Sequence, residues 1–215
     1  MRRLWSSCLI LTGLLAVGCG PIVAGSGKVI TEPRNVSGFS AVSLNGSGRL
    51  VIEQTGSESL TVTGDDNLLP YIESSVSGKT LTLGEKSGTN ISPSKDIVFK
   101  LTVKSLDNID ISGSGAADVK GVQGRALKID ISGSGEVAAE GAADELNVGI
   151  SGSGRYHGET LRSKRARVDI SGSGSALLAV SEKLDANVSG SGSIEYVGDP
   201  QVHQDISGSG SVRKR

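Results

Sequence analysis

Acidic and amide residues recur at one position of a repeat in the second half of the chain. This acidic column consists of Asp110, Asp130, Asp169, Asn187 and Asp205, with Gly149 at the equivalent position in one copy. If the copies stack as neighbouring strands, Asp110 and Asp130 lie about 5 Å apart. Like charges at that distance raise the pKa of a carboxyl group or recruit a cation such as calcium. Because Lys128 and Arg167 stand two residues away on the same face, the pattern favours a solvated ladder, with a calcium site as the alternative.

Two files of serines run beside the acidic column. The inner serine file extends from Ser112 to Ser207, and the outer serine file extends from Ser114 to Ser209. Regular hydroxyl groups on a flat face can hydrogen-bond a glycan or a protein partner. Serine is also small and tolerates bends, and its hydroxyl can bond the neighbouring copy. The pattern leaves both interpretations open.

The chain shows no residue combination that is typical of catalysis. Neither of its two histidines, His157 and His203, has a cysteine or carboxylate residue at the sequence spacing that metal ligands show. Serines are abundant, but none lies in the strand–turn–helix context of a nucleophile elbow. We therefore predict that the protein is not an enzyme and has no catalytic residue, metal ion or cofactor.

A repeated tetrapeptide indicates the fold that must position these residues. Ser-Gly-Ser-Gly occurs six times at intervals of 18 to 20 residues, beginning at Ser112, Ser132, Ser151, Ser171, Ser189 and Ser207. Such a fixed period marks units that stack on one another. Apolar residues alternate with polar ones before each copy, as at Leu127, Ile129 and Ile131, which is typical of a strand with one buried face. The repeat predicts a parallel β-solenoid over residues 106–215, because a flexible Gly/Ser linker has no reason to keep this alternation.

The alternation continues through the tetrapeptide without a break. It predicts that both glycines of each copy, such as Gly133 and Gly135, face the interior, where a side chain would collide with the next layer. Both serines then face outwards.

Residues 28–105 form a less regular β-rich portion. Short alternating segments are separated by Gly, Ser, Asp and Asn, which favours strands joined by turns. Residues 65–72 are the one interruption, and their acidic opening and apolar pair predict a short helical turn. No long amphipathic helix is predicted anywhere.

The N-terminus has the pattern of an export signal. Arg2 and Arg3 precede a short apolar core, Leu9–Val17, which cannot span a bilayer that needs about 20 residues. The run that ends at Cys19 resembles a bacterial lipobox, which implies cleavage before Cys19 and attachment of lipid to its thiol. We therefore predict a signal peptide at 1–18 and a lipidated N-terminus with a short linker at 19–27. Gly20 favours the outer membrane, and an ordinary secretory signal is the alternative.

The charge balance argues against nucleic acid as a partner. The chain has 22 Lys and Arg residues against 23 Asp and Glu residues, and cleavage would remove two of the basic residues. Nucleic-acid binding calls for a concentrated basic patch, whereas the only basic cluster here is Arg213–Arg215. That cluster is more typical of protection for an open sheet edge.

Several motifs together resemble one protein family. They are Arg34-Asn35-Val36-Ser37-Gly38-Phe39, Asp65-Asp66-Asn67-Leu68-Leu69, the repeated Ile-Ser-Gly-Ser-Gly and Tyr196-Val197-Gly198-Asp199-Pro200. The chain resembles the auto-transporter adhesin head family, also called the head GIN domain, over roughly residues 28–212. The resemblance implies an all-β fold, a right-handed parallel β-helix with an N-terminal β-rich portion. The adhesin label itself rests on analogy to auto-transporter heads.

These observations predict a lipid-anchored protein of the cell envelope, facing either the periplasm or the cell surface. Its β-helix would act as a binding, adhesin-like or scaffold module. The expected partners are the membrane, through the lipid, and an envelope glycan or protein. The alternatives are a carbohydrate-active β-helix enzyme of the polysaccharide lyase or hydrolase type and a purely structural assembly element.

Overall fold

The computed structural model describes residues 22–215 and shows an all-β protein, a β-solenoid of about five turns. The predicted fold class is confirmed. The alternating residues form strands because one face of each strand is buried: Leu127, Ile129 and Ile131 are at most 1% exposed, while Lys128 between them is exposed. The predicted signal peptide and Cys19 lie outside the described residues.

The repeats form long strands that bend at corners and pair in parallel with the next copy. Each Ser-Gly-Ser-Gly corner separates a first face, which precedes the tetrapeptide, from a second face, which follows it. The pairing is in register, so that Ser112 lies beside Ser132 and Ser132 beside Ser151. The strands of this part are β10 (Asn108–Gly113), β11 (Ala116–Gly133), β12 (Glu136–Gly152), β13 (Arg155–Gly172), β14 (Ser175–Gly190), β15 (Ser193–Val197), β16 (Gln201–Gly208) and β17 (Ser211–Lys214).

The N-terminal portion extends the same solenoid. Its strands are β1 (Val23–Ala24), β2 (Val29–Arg34), β3 (Ala41–Gly46), β4 (Arg49–Gln54), β5 (Ser59–Asp65), β6 (Ile72–Ser77), β7 (Thr80–Glu85), β8 (Ile91–Ser92) and β9 (Val98–Val103). On the first face β3 pairs with both β7 and β10, and on the second face β4 pairs with both β9 and β11. The coil made by β3 and β4 is therefore inserted between two coils that follow it in the chain.

Antiparallel strands close the N-terminal end of the stack. On the first face β6 pairs antiparallel with β7, and on the second face β5 pairs antiparallel with β9 and β2 with β5. The predicted short helical turn is present as a 3₁₀ turn at Leu69–Tyr71, and its Leu69 is fully buried. The short strand β1 pairs with β8. We call β1, β2, β5, β6 and this turn the cap.

The solenoid interior is packed with stacked aliphatic side chains. One row of the first face, for example, consists of Ile109, Ile129, Val148, Val168 and Ala186, all at most 2% exposed. Burial of each larger aliphatic side chain favours folding by about 1.5–3 kcal/mol. The row can stay continuous because parallel pairing places equivalent residues above one another.

The two glycines of the tetrapeptide lie in different surroundings. The prediction that both face the interior is wrong for the first glycine. Gly135 is buried, and a Cβ there would lie 2.7 Å from Ile111 Cγ2. Gly133 is exposed with a φ of 111°, and a Cβ there would lie 2.6 Å from the Gly113 carbonyl oxygen of the preceding coil. The left-handed conformation at the corner breaks the alternation, so the first glycine lies against the neighbouring backbone instead of the core.

Candidate functional site on the first face

The acidic column forms one straight row on the outer side of the first face. Register pairing places Asp110 beside Asp130, Asp130 beside Gly149, and Gly149 beside Asp169. The row continues to Asn187 and then Asp205. The structure thus brings all predicted members together at neighbouring-strand spacing. Their role in binding stays a prediction.

The first two carboxylates repel each other, and one of them is neutralised locally. Partial burial and then the charge of Asp130 raise the pKa of Asp110. Asp110 accepts a long hydrogen bond of 3.4 Å from the Ser43 hydroxyl, whereas Asp130 lies 2.6 Å from Lys128 Nζ. The Asp130 carboxylate leans over the gap at Gly149, where a Cβ would lie 2.8 Å from its Oδ1. The glycine makes room for this orientation.

The middle of the column is a closed hydrogen-bonded group. Arg167 donates to both carboxylate oxygens of Asp169, at 2.8 and 3.1 Å, and Asn187 Nδ2 donates from the next coil at 2.7 Å. Partial burial acts to raise the pKa of Asp169, but the hydrogen bonds from Arg167 and Asn187 outweigh it and lower the pKa. These contacts pair the Asp169 carboxylate within its own coil and with the next coil, and the preference for a solvated ladder over a calcium site stays a prediction.

The inner serine file borders the column along a shallow open depression. At its C-terminal part the depression is lined by Asp169, Ser171, Asn187, Ser189, Asp205 and Ser207. Successive serines follow the strand spacing of about 4.8 Å, which exceeds hydrogen-bond length, so matching rotamers leave the hydroxyls free for solvent or a ligand. The corner itself is held by backbone bonds, such as Ser153 N to Gly133 O at 2.8 Å.

The remaining candidates do not assemble into a second site. His157 is half-exposed with its Nε2 3.3 Å from Glu136, and His203 lies on the exposed strand β16. Within residues 22–215, no group of three or more His, Cys, Asp or Glu side chains is arranged to hold a metal ion. The basic residues near the C-terminus pair across coils, Arg213 with Glu195 and Lys214 with Asp199.

A buried carboxylate in the cap was not predicted as a site. Asp65 is fully buried and accepts hydrogen bonds from Gly27 N at 2.8 Å, Ser94 N at 2.8 Å and Ser94 Oγ at 2.6 Å. The bonds from the Ser94 hydroxyl and backbone, followed by that from Gly27, hold the pKa of Asp65 below its usual range. Only the Asp65-Asp66-Asn67 motif signalled this position in the sequence, because its partners lie far away in the chain.

No helix among residues 22–215 is long and apolar enough to cross a membrane. The comparison with curated proteins gives no match.

Several solved structures share the fold. A putative adhesin from Bacteroides fragilis is 24% identical with a TM-score of 0.74, covering 90% of this chain and 100% of that one. A putative lipid binding protein from Parabacteroides distasonis is 25% identical with a TM-score of 0.63, covering 91% and 100%. A putative adhesin from the same organism is 25% identical with a TM-score of 0.58, also covering 91% and 100%.

The family comparison matches residues 38–200, which include the last two residues of the first upstream motif, all of the second and five complete tetrapeptide copies. The matching model is described as "Putative auto-transporter adhesin, head GIN domain". Because the match covers most of the solenoid and part of the cap, the chain belongs to the auto-transporter adhesin head GIN domain family.

Proposed function

We propose that this protein is a lipid-anchored, adhesin-like module of the bacterial cell envelope that binds a glycan along its first face. The observation that carries the proposal is the row of carboxylate, amide and hydroxyl groups along the open depression between Asp169 and Ser207. Such groups hydrogen-bond sugar hydroxyls, and their rigid backbone positions reduce the ordering cost of binding. The family description and the adhesin structures support a binding module over an enzyme.

A matched pair of triple variants tests the binding face. Ser171, Ser189 and Ser207 are replaced by alanine on the first face, and the control replaces Ser175, Ser193 and Ser211 on the second face of the same coils. Loss of three hydrogen bonds at about 0.5–1.5 kcal/mol each should weaken binding roughly tenfold or more. Binding is measured on an array of envelope and host glycans, followed by titration calorimetry with the best ligand.

The outcomes of this comparison are distinct. Equal losses in both triple variants would place binding elsewhere, and no binding to any glycan would remove the glycan as ligand. A calcium requirement would appear as loss of binding in EGTA. The carbohydrate-active enzyme alternative predicts shortened glycan products, which the same samples would reveal by chromatography.

The lipid anchor at Cys19 belongs to this proposal and has its own test. Replacing Cys19 with alanine should abolish labelling by radioactive palmitate and move the protein from membranes to soluble fractions. The control is Cys8→Ala, because Cys8 is the only other cysteine and lies in the predicted signal peptide. Retained labelling in Cys19→Ala would contradict the anchor and, with it, the outer-membrane localisation.

The description of one similar structure as a lipid binding protein adds no second function here. The interior of the solenoid is filled by buried side chains, and the depressions found among residues 22–215 are open to the outer surface. An acyl chain would therefore have to lie on that surface.

A further inference from the structure

The segment that follows Cys19 is fastened to the cap. Ser26 donates through its backbone N–H to Asn67 Oδ1 at 2.9 Å and through its hydroxyl to Asp66 at 2.6 Å. Asn67 donates back to the Ala24 carbonyl oxygen at 2.8 Å. The backbone of Val23 bonds the Asn90 carbonyl oxygen at 2.8 Å, so this part of the predicted linker is folded structure.

We call residues 23–28 the clamp, and close packing also holds this segment against the cap. A Cβ at Gly25 would fall on the Asp65 carboxylate and would lie 2.8 Å from the backbone N of Ser94. Asp65 in turn accepts from Gly27 and Ser94, and it is fully buried. The chain over residues 23–28 is therefore hydrogen-bonded to the cap and packed against it.

The clamp leaves a very short tether. Only Gly20, Pro21 and Ile22 separate Cys19 from Val23. At no more than about 3.6 Å per residue, the Cα atom of Cys19 can lie at most about 14 Å from that of Val23. A lipid on Cys19 would thus hold this end of the molecule against the bilayer.

The end that the tether reaches is the outermost layer of the cap. On the first face β6 is the last strand of the stack, and on the second face β2 is the last strand. Three of the five exposed large apolar side chains among residues 22–215 lie at this end, namely Ile22 (63% exposed), Val29 (38%) and Val76 (37%), whereas Val197 and Ile206 lie near the opposite end. Apolar side chains beside polar strand edges suit the boundary between lipid headgroups and acyl chains.

We propose that the cap rests on the phospholipid surface and that the solenoid stands away from the membrane with strands β16 and β17 outermost. This proposal rests on the lipid anchor proposed above. From β6 to β16 the strand spacing of about 4.8 Å gives a height of roughly 40 Å. The first-face depression between Asp169 and Ser207 would then lie in the half of the molecule that is far from the bilayer.

Single-cysteine reporters test this orientation in the lipidated full chain. Ser77→Cys places a fluorophore on the exposed cap strand β6, and Ser209→Cys places one at the exposed corner after β16. The protein is purified from membranes and reconstituted in phosphatidylethanolamine–phosphatidylglycerol vesicles that carry a nitroxide-labelled lipid. Quenching at position 77 should exceed that at position 209 roughly twofold or more, since the stack separates them by about 40 Å.

A second variant lengthens the tether without touching the fold. Insertion of a 20-residue Gly/Ser segment after Gly20 should remove most of the difference, because such linkers are flexible coils. Palmitate labelling is recorded for every sample. Absent labelling would overturn the anchor and this orientation together, whereas normal labelling with equal quenching at the two positions would overturn the orientation alone. Stronger quenching at position 209 would show that the solenoid is inverted.

Discussion

At the scale of single residues, the large side chain of Tyr156 fits into the core because Gly158 has no side chain. Tyr156 is 1% exposed and occupies the position of Val137 and Ala176 in the neighbouring coils. Gly158, two residues later, leaves the space that the Tyr156 ring and hydroxyl fill. The hydroxyl has no hydrogen-bond partner among the described residues, and burial raises the pKa of Tyr156. Shape complementarity, not polar bonding, holds the ring in place.

This pairing predicts a non-additive effect of mutation. Gly158→Ala should destabilise the protein by about 1–3 kcal/mol, because the new methyl group overlaps the Tyr156 ring. The control is Gly124→Ala, where a Cβ would lie 3.9 Å from the nearest atom, and it should cost under about 0.5 kcal/mol. In the background of Tyr156→Val the Gly158→Ala cost should shrink. Urea denaturation of the four variants measures this coupling, and equal Gly158→Ala costs in both backgrounds would refute it.

At the scale of elements, the cap depends on one buried carboxylate that joins three segments. Hydrogen bonds from Ser94 and Gly27 stabilise the ionised form of Asp65, so its pKa is lowered in the folded chain. A carboxyl group whose pKa is lower in the folded than in the unfolded chain contributes stability above its unfolded pKa. That contribution is lost as the pH falls through the folded pKa, so its loss should begin below about pH 4.

The Asp65→Asn variant should therefore have a lower urea midpoint than the wild type at pH 7. Its midpoint should also fall less between pH 7 and pH 3, because the titrating group is gone. Asp96→Asn, an exposed substitution in the neighbouring loop, serves as the control and should leave the midpoint unchanged. If Asp65→Asn keeps the full pH dependence of the wild-type urea midpoint, that dependence comes from other carboxylates.

The elements also show what the sequence could and could not predict. Each apolar triplet, such as Leu127, Ile129 and Ile131, keeps a fixed distance to its tetrapeptide, so strands, parallel register and the acidic column were all predictable. The insertion of the β3–β4 coil was not, because every coil offers similar aliphatic residues to its neighbours. The role of Gly133 was not predictable from the alternation, because a positive φ interrupts it at that residue. The hydrogen bonds of Asp65 were not predictable either, because its partner Ser94 lies far away in the chain.

At the scale of the whole molecule, the solenoid is a nearly one-dimensional stack in which each coil contacts its neighbours. The contacts of β12, for example, are its pairings with β11 and β13 along nearly its whole length. In such a stack, stability is approximately a sum of coil terms and interface terms. The charged side chains follow the same rule, since Arg165 pairs with Glu145 in the preceding coil and Lys164 with Asp144.

One whole coil should therefore be removable without loss of the fold. Deletion of residues 136–154 joins Gly135 to Arg155, so that Arg155 follows the corner glycine as it does in the intact chain. The shortened protein should keep its strand-type far-UV circular dichroism and a cooperative urea transition, with a lower midpoint because one interface is lost. Deletion of residues 146–154 is the matched control: it removes a first-face strand and places Tyr156 where a first-face residue belongs, which should abolish soluble, cooperative folding. If both deletions fold equally well, the coils are not the independent units that their register implies, and if neither folds, the stack behaves as one indivisible domain.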